Sequence, residues 1–487
     1  MIYIILFLLQ HYRFLINVNI LQKQYYEINR FIIYFKQHKK IFLFKILVFL
    51  LSFTLSFINR YFIFLFVLFF IDKFKNKIIK FKISKRVKRM FVIFEIFNIF
   101  TTYLSYKIHI EPISIILSFL LFYLVFYISL LIEYLILLKN IKKAKNKLKN
   151  YKTKVVAITG SYGKTSCKNY SKILIESTYN TLISPMSYNT LNGLLITINN
   201  HLKPYHEVLI LEIGVDKVNG MNKFLKYFKF DICLVTCIGN QHLKTFKSIE
   251  NIANEKTKLF KNAKECIVIN NDDPYLKNII SDVKKISFSN INDADIKVTL
   301  KEENLSYSYL KIDIYGKSYF TKTNLIGSHN INNIASCIAI AKSLNIDDKT
   351  IINNIGKLKN VEHRLSIINK NKWTIIDDSY NSNYVGFINA LKVLNKAKNT
   401  KVLITPGIIE SKNIDNEYLA KQISTIADVI ILINNPILSN YIDNYLSFLS
   451  FKDAYTYLEN NYNDESLTIL IENDLPDIFI RWLIHEK

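Results

Sequence analysis

The stretch VVAITGSYGKTSCKNY, residues 155–170, constrains the fold more than any other part of the chain. An apolar, β-branched run leads into Gly160 and Gly163, and a pattern with helical spacing begins at Lys164. The chain has only 11 glycines, so two of them here indicate a tight turn between a buried strand and a helix. Strand, tight loop and helix in this order are typical of a doubly wound α/β sheet.

The loop between this strand and helix has the chemistry of a phosphate site. Backbone N–H groups of a glycine-containing loop and the N-terminus of a helix attract phosphate oxygens. Lys164 is placed to meet the β- and γ-phosphates of a nucleotide, and the Thr165 hydroxyl to ligate Mg²⁺. The loop is shorter than the common GxxxxGK[ST] pattern, so the prediction depends on the strand before it and the helix after it.

Further apolar runs predict two α/β domains. Strand-like runs alternate with helical patterns and predict a P-loop central domain at 155–359 with a mostly parallel sheet. Residues 296–325 predict antiparallel hairpins within it. A second alternation predicts a C-terminal Rossmann-like α/β domain at 360–487. The runs are KVVAITG, EVLILEIG, DICLVTCIG and ECIVINND in the first domain, and WTIIDDSYNSN, KVLITPG, DVIILINN and LTILIEND in the second.

Residues 1–138 contain several apolar stretches and predict a multi-span helical membrane region. The last stretch, 113–138, exceeds the roughly 20 residues that span a bilayer. The other stretches are shorter or interrupted, and we expect about four or five crossings in total. Lysine and arginine clusters at 73–90 and 139–154 predict cytoplasmic segments, the second of them a basic linker. The expected location is the inner membrane, multi-pass, with the later domains in the cytoplasm.

The formal net charge of +25 invites a nucleic-acid interpretation. Much of the excess lies beside the apolar stretches, where anionic membrane lipid is the better partner, so we expect no nucleic acid. The five cysteines form no CxxC pair, which favours buried reduced thiols over a zinc site or a disulfide framework.

Several motifs after residue 154 resemble the Mur ligases, ATP-dependent amide-forming enzymes of bacterial cell-wall synthesis. TGSYGKTS is similar to their short ATP loop, and the resemblance extends over 155–487. The other motifs follow in the family's order: SYNTLNG, LEIGV with Glu212, GNQHLK with His242, Lys256 fourteen residues later, GSHNINN, VEHRL with Arg364, and IIDDSYNSN.

The resemblance implies roles for these residues in making an acyl phosphate that an amine then attacks. Lys164, Lys256 and His242 are implied in catalysis, with Lys256 carbamylated. The implied magnesium ligands are Thr165, Glu212, His242 and Lys256. The implied ATP contacts are Gly160, Ser161, Gly163, Lys164, Thr165, Ser166, His329, Asn330, Asn333, Arg364, Asp378, Tyr380 and Asn381.

Taken singly, these residues have plainer interpretations. His242 fits a loop hydrogen bond, Lys256 a solvated helix lysine and Asn330 a helix cap. Asp377 and Asp378 fit a turn or a helix N-terminus. Only their order and spacing favour the site.

DDSYNSN and GSYGKTSCK most resemble the family member that adds D-alanyl-D-alanine to UDP-N-acetylmuramoyl-tripeptide. That resemblance implies these two substrates, with ATP and Mg²⁺ as cofactors. We expect the membrane region to take the place of the family's N-terminal UDP-binding domain. A Mur-like ligase acting on another acceptor, such as a poly-γ-glutamate-type polymer or a lipid-linked peptide, is the alternative. An NTP-driven transporter is disfavoured, because only Glu95 and Glu133 are acidic within the apolar stretches and no ABC-type signature follows the loop.

Overall fold

The computed structural model describes residues 2–24, 82–108, 111–380, 384–408, 413–434 and 437–472, with a few isolated positions between 26 and 55. The chain divides into two units, Met1–Asn140 and Ile141–Lys487.

The first unit is helical. Its helices are α1 (Ile2–Lys23), α2 (Lys85–Ile108) and the beginning of α3 (Glu111–Tyr151). Apolar side chains of all three pack together, with the rings of Phe14 and Phe94 stacked at a centroid separation of 4.1 Å. The shared apolar core explains why these segments associate as helices.

Both acidic residues of the apolar stretches have basic partners. His11 Nδ1 lies 2.8 Å from Glu95 Oε1, and Arg89 forms an ion pair with Glu133. Acidic side chains in apolar helices are expected to pair in this way. The pairs give these carboxylates a structural role, which further disfavours the transporter alternative.

One helix among the described residues, Leu120–Tyr151, is long and apolar enough to cross a membrane. The segment 41–71 lies almost entirely outside the described residues, so its expected crossings have no structural counterpart here. Of the four or five crossings expected, the described residues therefore contain one candidate. The basic segment 139–154 is helical as far as Tyr151.

The second unit begins with a nine-stranded sheet in the order β2-β3-β1-β4-β5-β6-β7-β8-β9. Strands β1 to β7 pair in parallel, whereas β7–β8 and β8–β9 are antiparallel. The parallel strands and the hairpins predicted over 296–325 are confirmed. The strands are β1 (Lys154–Thr159), β2 (Thr181–Ile183), β3 (Val208–Glu212), β4 (Phe230–Val235), β5 (Ala263–Asn270), β6 (Lys284–Ser289), β7 (Ile296–Glu303), β8 (Ser308–Ile314) and β9 (Lys317–Thr323).

The helices of this domain cover the sheet. α4 and α9 bury their apolar faces in one core with β1, β3, β4 and β5. All five residues of β3 and all six of β4 are buried. The helices are α4 (Lys164–Ile175), α5 (Leu191–Ile196), α6 (Asn222–Leu225), α7 (Leu243–Phe246), α8 (Ile249–Thr257), α9 (His329–Ser343) and α10 (Asp348–Ile355), with a π-helical turn at Thr197–His201 and a 3₁₀ turn at Lys258–Asn262.

A second, six-stranded sheet has the order β10-β11-β15-β12-β13-β14. Only the β10–β11 pair is antiparallel, which confirms the predicted second α/β domain. Its strands are β10 (Ser366–Lys370), β11 (Trp373–Asp378), β12 (Thr400–Thr405), β13 (Val429–Ile433), β14 (Leu446–Phe448) and β15 (Leu467–Glu472). Its helices are α11 (Tyr384–Leu394), α12 (Asn413–Ile426) and α13 (Phe451–Tyr462), with a 3₁₀ turn at Leu438–Asn440.

Candidate active site

The glycine loop follows β1, at the point where the strand order reverses. β1 lies between β3 and β4, so the loop emerges where connections leave in opposite directions. Ligands of open α/β sheets bind at such a point, outside the carboxyl ends of the strands. The topology therefore places the predicted phosphate loop where a nucleotide can approach it.

Both loop glycines are required by their surroundings. Gly160 has φ 147°, and an added Cβ would lie 1.9 Å from Thr236 Oγ1. Gly163 has φ 80°, and its added Cβ would lie 2.4 Å from Asn333 Oδ1. Neither position accepts a side chain without displacing a neighbour, because such contacts are closer than packed atoms allow. This close packing explains why a glycine-poor sequence has two glycines here.

Lys164 folds over the loop that precedes it. Its Nζ donates to the carbonyl oxygens of Gly160 at 2.7 Å and Ser161 at 3.0 Å. Burial lowers the pKa of the Lys164 ammonium, and the carboxylate of Glu212 opposes this shift. A phosphate entering the loop would replace the two carbonyls as the partner of this cation.

Thr165 and Glu212 place two oxygen-bearing side chains next to each other. The Thr165 hydroxyl donates to Glu212 Oε2 at 2.9 Å, and the Asn189 amide donates to Oε1 at 3.2 Å. Glu212 is only 2% exposed. Mg²⁺ is usually held by one or two carboxylates together with substrate phosphates, and these two side chains fit that chemistry. The described residues contain no cluster of three or more His, Cys, Asp or Glu side chains able to hold a metal.

The motif interpretation did not include Lys168. Its Nζ lies 3.5 Å from Glu212 Oε2, and it also donates to the carbonyl oxygen of Met186 at 2.5 Å. The side chain is 1% exposed, and burial lowers its pKa while Glu212 raises it. Lys168 follows Lys164 by four residues and so shares its helix face. That spacing is the signal that could have found it.

Lys256 is 1% exposed, so its interpretation as a solvated lysine is wrong. Its Nζ donates to the Gly160 carbonyl oxygen at 2.9 Å. Burial, with a smaller effect of the neighbouring Lys164, lowers the pKa of Lys256 to about 7. A large fraction of this side chain is therefore a neutral amine at neutral pH.

His242 lies on the exposed loop after β4. It has φ 55° and occupies the N-cap position of α7. Its carbonyl oxygen accepts from the N–H groups of Thr245 and Phe246, both at 3.0 Å. The structure therefore shows a capping role for the His242 backbone, and its predicted metal role stays a prediction.

The first turn of α9 contributes one unsatisfied polar atom. His329 Nδ1 is buried and has no hydrogen-bond partner among the described residues. Burial, with a smaller effect of the nearby Arg364, lowers the pKa of His329 to about 4. A neutral imidazole with an unsatisfied buried nitrogen is expected to hydrogen-bond a ligand.

The two asparagines of this turn are engaged within the protein. Asn330 accepts from the Tyr170 hydroxyl at 3.1 Å and donates to the Ile326 carbonyl at 2.7 Å. Asn333 donates to Asn330 Oδ1 at 3.3 Å and accepts from Cys167 Sγ at 3.4 Å. In this structure they join α4 to α9 behind the loop, and their contacts with ATP stay a prediction.

Residues of the C-terminal domain reach the loop. Arg364 Nη2 donates to Thr165 Oγ1 at 3.4 Å, and its guanidinium lies 4.5 Å from the centre of the Tyr380 ring. The Tyr380 hydroxyl is 2.7 Å from Ser187 Oγ of the SYNTLNG segment. These contacts connect both α/β domains at one site.

Asp378 and Asp377 differ in their surroundings. Asp378 Oδ1 accepts from the Leu365 N–H at 3.1 Å, and burial raises the pKa of this carboxyl to about 6. Asp377 accepts from the Ser379 hydroxyl at 2.5 Å and lies 2.8 Å from His363 Nδ1. Asp377 thus fixes the turn, and Asp378 stays a candidate contact. Asn381 lies outside the described residues.

Comparisons with known proteins agree with this arrangement. A family model described as the Mur ligase middle domain matches residues 158–341. A UDP-N-acetylmuramoyl-tripeptide–D-alanyl-D-alanine ligase of Buchnera aphidicola subsp. Acyrthosiphon pisum is 30% identical over 66% of this chain and 74% of that protein. The ligase of the same name from Buchnera aphidicola subsp. Baizongia pistaciae is 31% identical over 53% of this chain, and the alignment spans only 57% of that relative's length.

Solved structures share the fold. MurF from Acinetobacter baumannii aligns over 71% of this chain and 78% of its own with a TM-score of 0.63 at 20% identity. MurF ligase from Thermotoga maritima, in complex with ADP, aligns over 72% and 82% with a TM-score of 0.62 at 21% identity. The family model covers the glycine loop and its sheet, and one relative is 30% identical over 74% of its own length. The chain therefore belongs to the Mur ligase family of ATP-dependent amide ligases.

Proposed function

We propose that the protein adds D-alanyl-D-alanine to UDP-N-acetylmuramoyl-tripeptide. The observation that carries the proposal is the convergence of Lys164, Thr165, Glu212, Lys256 and Arg364 on one loop. Relatives that bear the name of this ligase, from Buchnera, Borreliella, Rickettsia and Bacillus subtilis, are 24–31% identical to this chain. The resemblance of DDSYNSN to that member supports the same choice.

The proposed reaction has two steps. An oxygen of the acceptor carboxylate attacks the γ-phosphorus of ATP, the bond to the bridging oxygen breaks, and ADP leaves. The amine nitrogen then attacks the acyl carbon, the bond between that carbon and the phosphate oxygen breaks, and phosphate leaves. The nitrogen loses its proton to solvent.

The residues act on the charge that accumulates in the first step. Lys164 and the loop N–H groups stabilise the transferring phosphoryl group, and Arg364 adds a second cation from the C-terminal domain. Mg²⁺ held by Thr165 and Glu212 would neutralise phosphate charge when bound. His329 is placed to hydrogen-bond ATP through its unsatisfied ring nitrogen.

Lys256 takes its role as a carbamate. A neutral amine attacks carbon dioxide, a nitrogen–carbon bond forms, and one proton leaves. The lowered pKa of Lys256, about 7, makes the neutral amine available. The product is an anion beside Gly160, where it supports bound metal instead of repelling it.

We infer that the protein is held at the inner membrane through its N-terminal region, with both α/β domains in the cytoplasm. The supporting observations are the apolar helix Leu120–Tyr151 and the lysines that follow Leu138. Only 28% of the most apolar 18-residue stretch of this helix is buried in the protein, whereas the core helix of a soluble domain is mostly buried. Protease added to sealed spheroplasts should leave residues 151–487 intact, and cleavage within them would refute this orientation.

The activity test uses the purified full-length protein with ATP, UDP-N-acetylmuramoyl-tripeptide and D-alanyl-D-alanine. We expect phosphate release and a product whose mass increases by one dipeptide less one water. Parallel reactions replace the acceptor with a lipid-linked peptide or a γ-glutamyl polymer. Turnover with one of these, and none with the UDP-linked acceptor, would reject the proposed substrate while retaining an amide ligase.

A further inference from the structure

A cavity lies at the amino-terminal ends of the central parallel strands, opposite the phosphate loop. Its volume is about 320 Å³, which is within the range of small-molecule sites, about 300–1,000 Å³. It is lined by residues at the beginnings of three parallel strands, Val155 of β1, Asp231 of β4 and Lys264 of β5. Because β1 runs from this cavity to the loop, the two sites are separated by about 20 Å of strand.

The lining is strongly basic. It contains Lys145, Lys149, Lys229 and Lys264 against a single acidic side chain, Asp231. These five groups give the cavity a net formal charge of +3. A site of this charge is suited to an anion.

The single aspartate is already engaged. Its Oδ2 accepts from the Val155 N–H at 2.7 Å, and its Oδ1 lies 3.1 Å from Lys264 Nζ. Asp231 therefore neutralises Lys264 and serves the backbone of β1. In the described part of the chain, none of the ion pairs involves Lys145, Lys149 or Lys229.

The helix that supplies two of these lysines is held in place. Lys145 and Lys149 are four residues apart on α3 and so lie on one face. Lys147 extends elsewhere and donates to the carbonyl oxygens of Asn199 at 2.9 Å and Leu202 at 3.0 Å. The anchored helix therefore keeps the backbone of these two lysines beside the cavity.

We propose that this cavity binds the phosphate group of an anionic ligand, at a site separate from the ATP loop. Three cations without acidic partners provide the charge, and phosphate oxygens accept the hydrogen bonds that lysine ammonium groups donate. Two sources offer this chemistry: the headgroup of an anionic phospholipid, and a soluble phosphate compound. The continuity of α3 with the apolar stretch Leu120–Leu138 favours the headgroup, because lysines beside a membrane helix are drawn to anionic lipid.

The test is calorimetric titration of the full-length protein in neutral detergent, with saturating ADP so that the phosphate loop is occupied. The two probes are dioctanoyl phosphatidylglycerol and inorganic pyrophosphate. The variant is the triple substitution Lys145→Ala, Lys149→Ala and Lys229→Ala. The matched control is Lys142→Ala, Lys143→Ala and Lys223→Ala, which removes the same charge from exposed positions on α3 and α6.

We expect saturable binding of the lipid that weakens by about fivefold for each cavity lysine removed, while the control triple binds as the native protein does. Saturable pyrophosphate binding with no lipid binding would support the phosphate site and assign it to a soluble ligand. Binding of neither probe, or equal weakening in both triples, would overturn the proposal. The single variant Lys229→Glu repeats the measurement without altering α3. Because the readout is binding, its outcome is independent of the ligase reaction.

Discussion

Lys164 and Lys256 converge on the same backbone oxygen. Their Nζ atoms lie 2.7 Å and 2.9 Å from the Gly160 carbonyl oxygen. Two protonated amines around one acceptor would repel each other, and this repulsion adds to burial in lowering the pKa of Lys256. At the residue scale, the site has a positive charge that a nucleoside triphosphate, a carbamate or both would neutralise.

The carbamate can be tested by substitution and rescue. Lys256→Ala should be nearly inactive, because the anionic group is missing. Formate or acetate should restore part of the turnover by occupying the vacated position. Lys256→Arg, which keeps a positive charge, should remain inactive with or without carboxylate. Normal turnover in the Arg variant, or no rescue of the Ala variant, would show that no carbamate is required.

Lys256 should also couple stability to pH. Its pKa is about 7 in the folded protein against an ordinary value of 10.5. Between these values the unfolded chain binds more protons, so the free energy of unfolding rises with pH. The thermal midpoint of the native protein, relative to Lys256→Met, should therefore increase from pH 7 to pH 9 in buffer free of carbon dioxide.

The exposed Lys261 provides the control for this measurement. Lys261→Met should leave the difference from the native protein constant over the same pH interval. If the difference in thermal midpoint is independent of pH for Lys256→Met as well, burial does not lower the pKa of Lys256 in solution.

At the scale of single elements, the turn from β1 to α4 decides whether a phosphate can be held. The turn depends on Gly163, which is the N-cap of α4 and contacts the side chain of Asn333. α9 therefore packs against the back of the loop through a side chain that needs the absence of a Cβ. The loop and α9 therefore pack directly against each other, although they are about 170 residues apart in sequence.

Gly163→Ala should abolish measurable ATP binding, since its Cβ would lie 2.4 Å from Asn333 Oδ1. Gly316→Ala is a matched control, because Gly316 has a similar φ of 83° and no heavy atom within 4 Å of an added Cβ. The control carries only the conformational cost of a left-handed alanine, about 1 kcal/mol. Titration with a fluorescent ATP analogue should separate the two variants, and equal binding by both would remove the loop from the site.

At the scale of the whole molecule, α3 belongs to the second unit from Ile141 onward. Ile141 and Ala144 are 5% and 0% exposed, and Lys147 donates to carbonyls at the end of the π-helical turn. The end of this basic helix therefore contributes to the catalytic half, and a boundary drawn at residue 150 would remove these contacts.

A fragment of residues 141–487 should consequently unfold at a higher temperature than a fragment of residues 152–487. The loss of three lysine-to-carbonyl contacts and two buried side chains predicts a difference of at least about 2 kcal/mol. The variant Lys147→Ala in the longer fragment isolates the lysine contribution. Indistinguishable thermal midpoints would show that α3 adds nothing to the stability of this half.

Local structure and the residue types of the site were predictable from the sequence. Apolar β-branched runs predicted the parallel strands, and the glycine spacing predicted the loop between β1 and α4, because strand period and turn geometry depend on near neighbours in the chain. The order of motifs also identified the family. The strands and the loop could be predicted because each is contained within about 10–20 residues.

Which side chains meet depends on how the elements pack in three dimensions. The tertiary structure buried Lys256 against Gly160, brought Lys168 to Glu212, and used the amides of Asn330 and Asn333 to pack α9 against α4. It also assembled three separate segments into the basic cavity around Asp231. These contacts join residues that are distant in sequence, and they depend on strand order and helix packing, which periodicity does not encode.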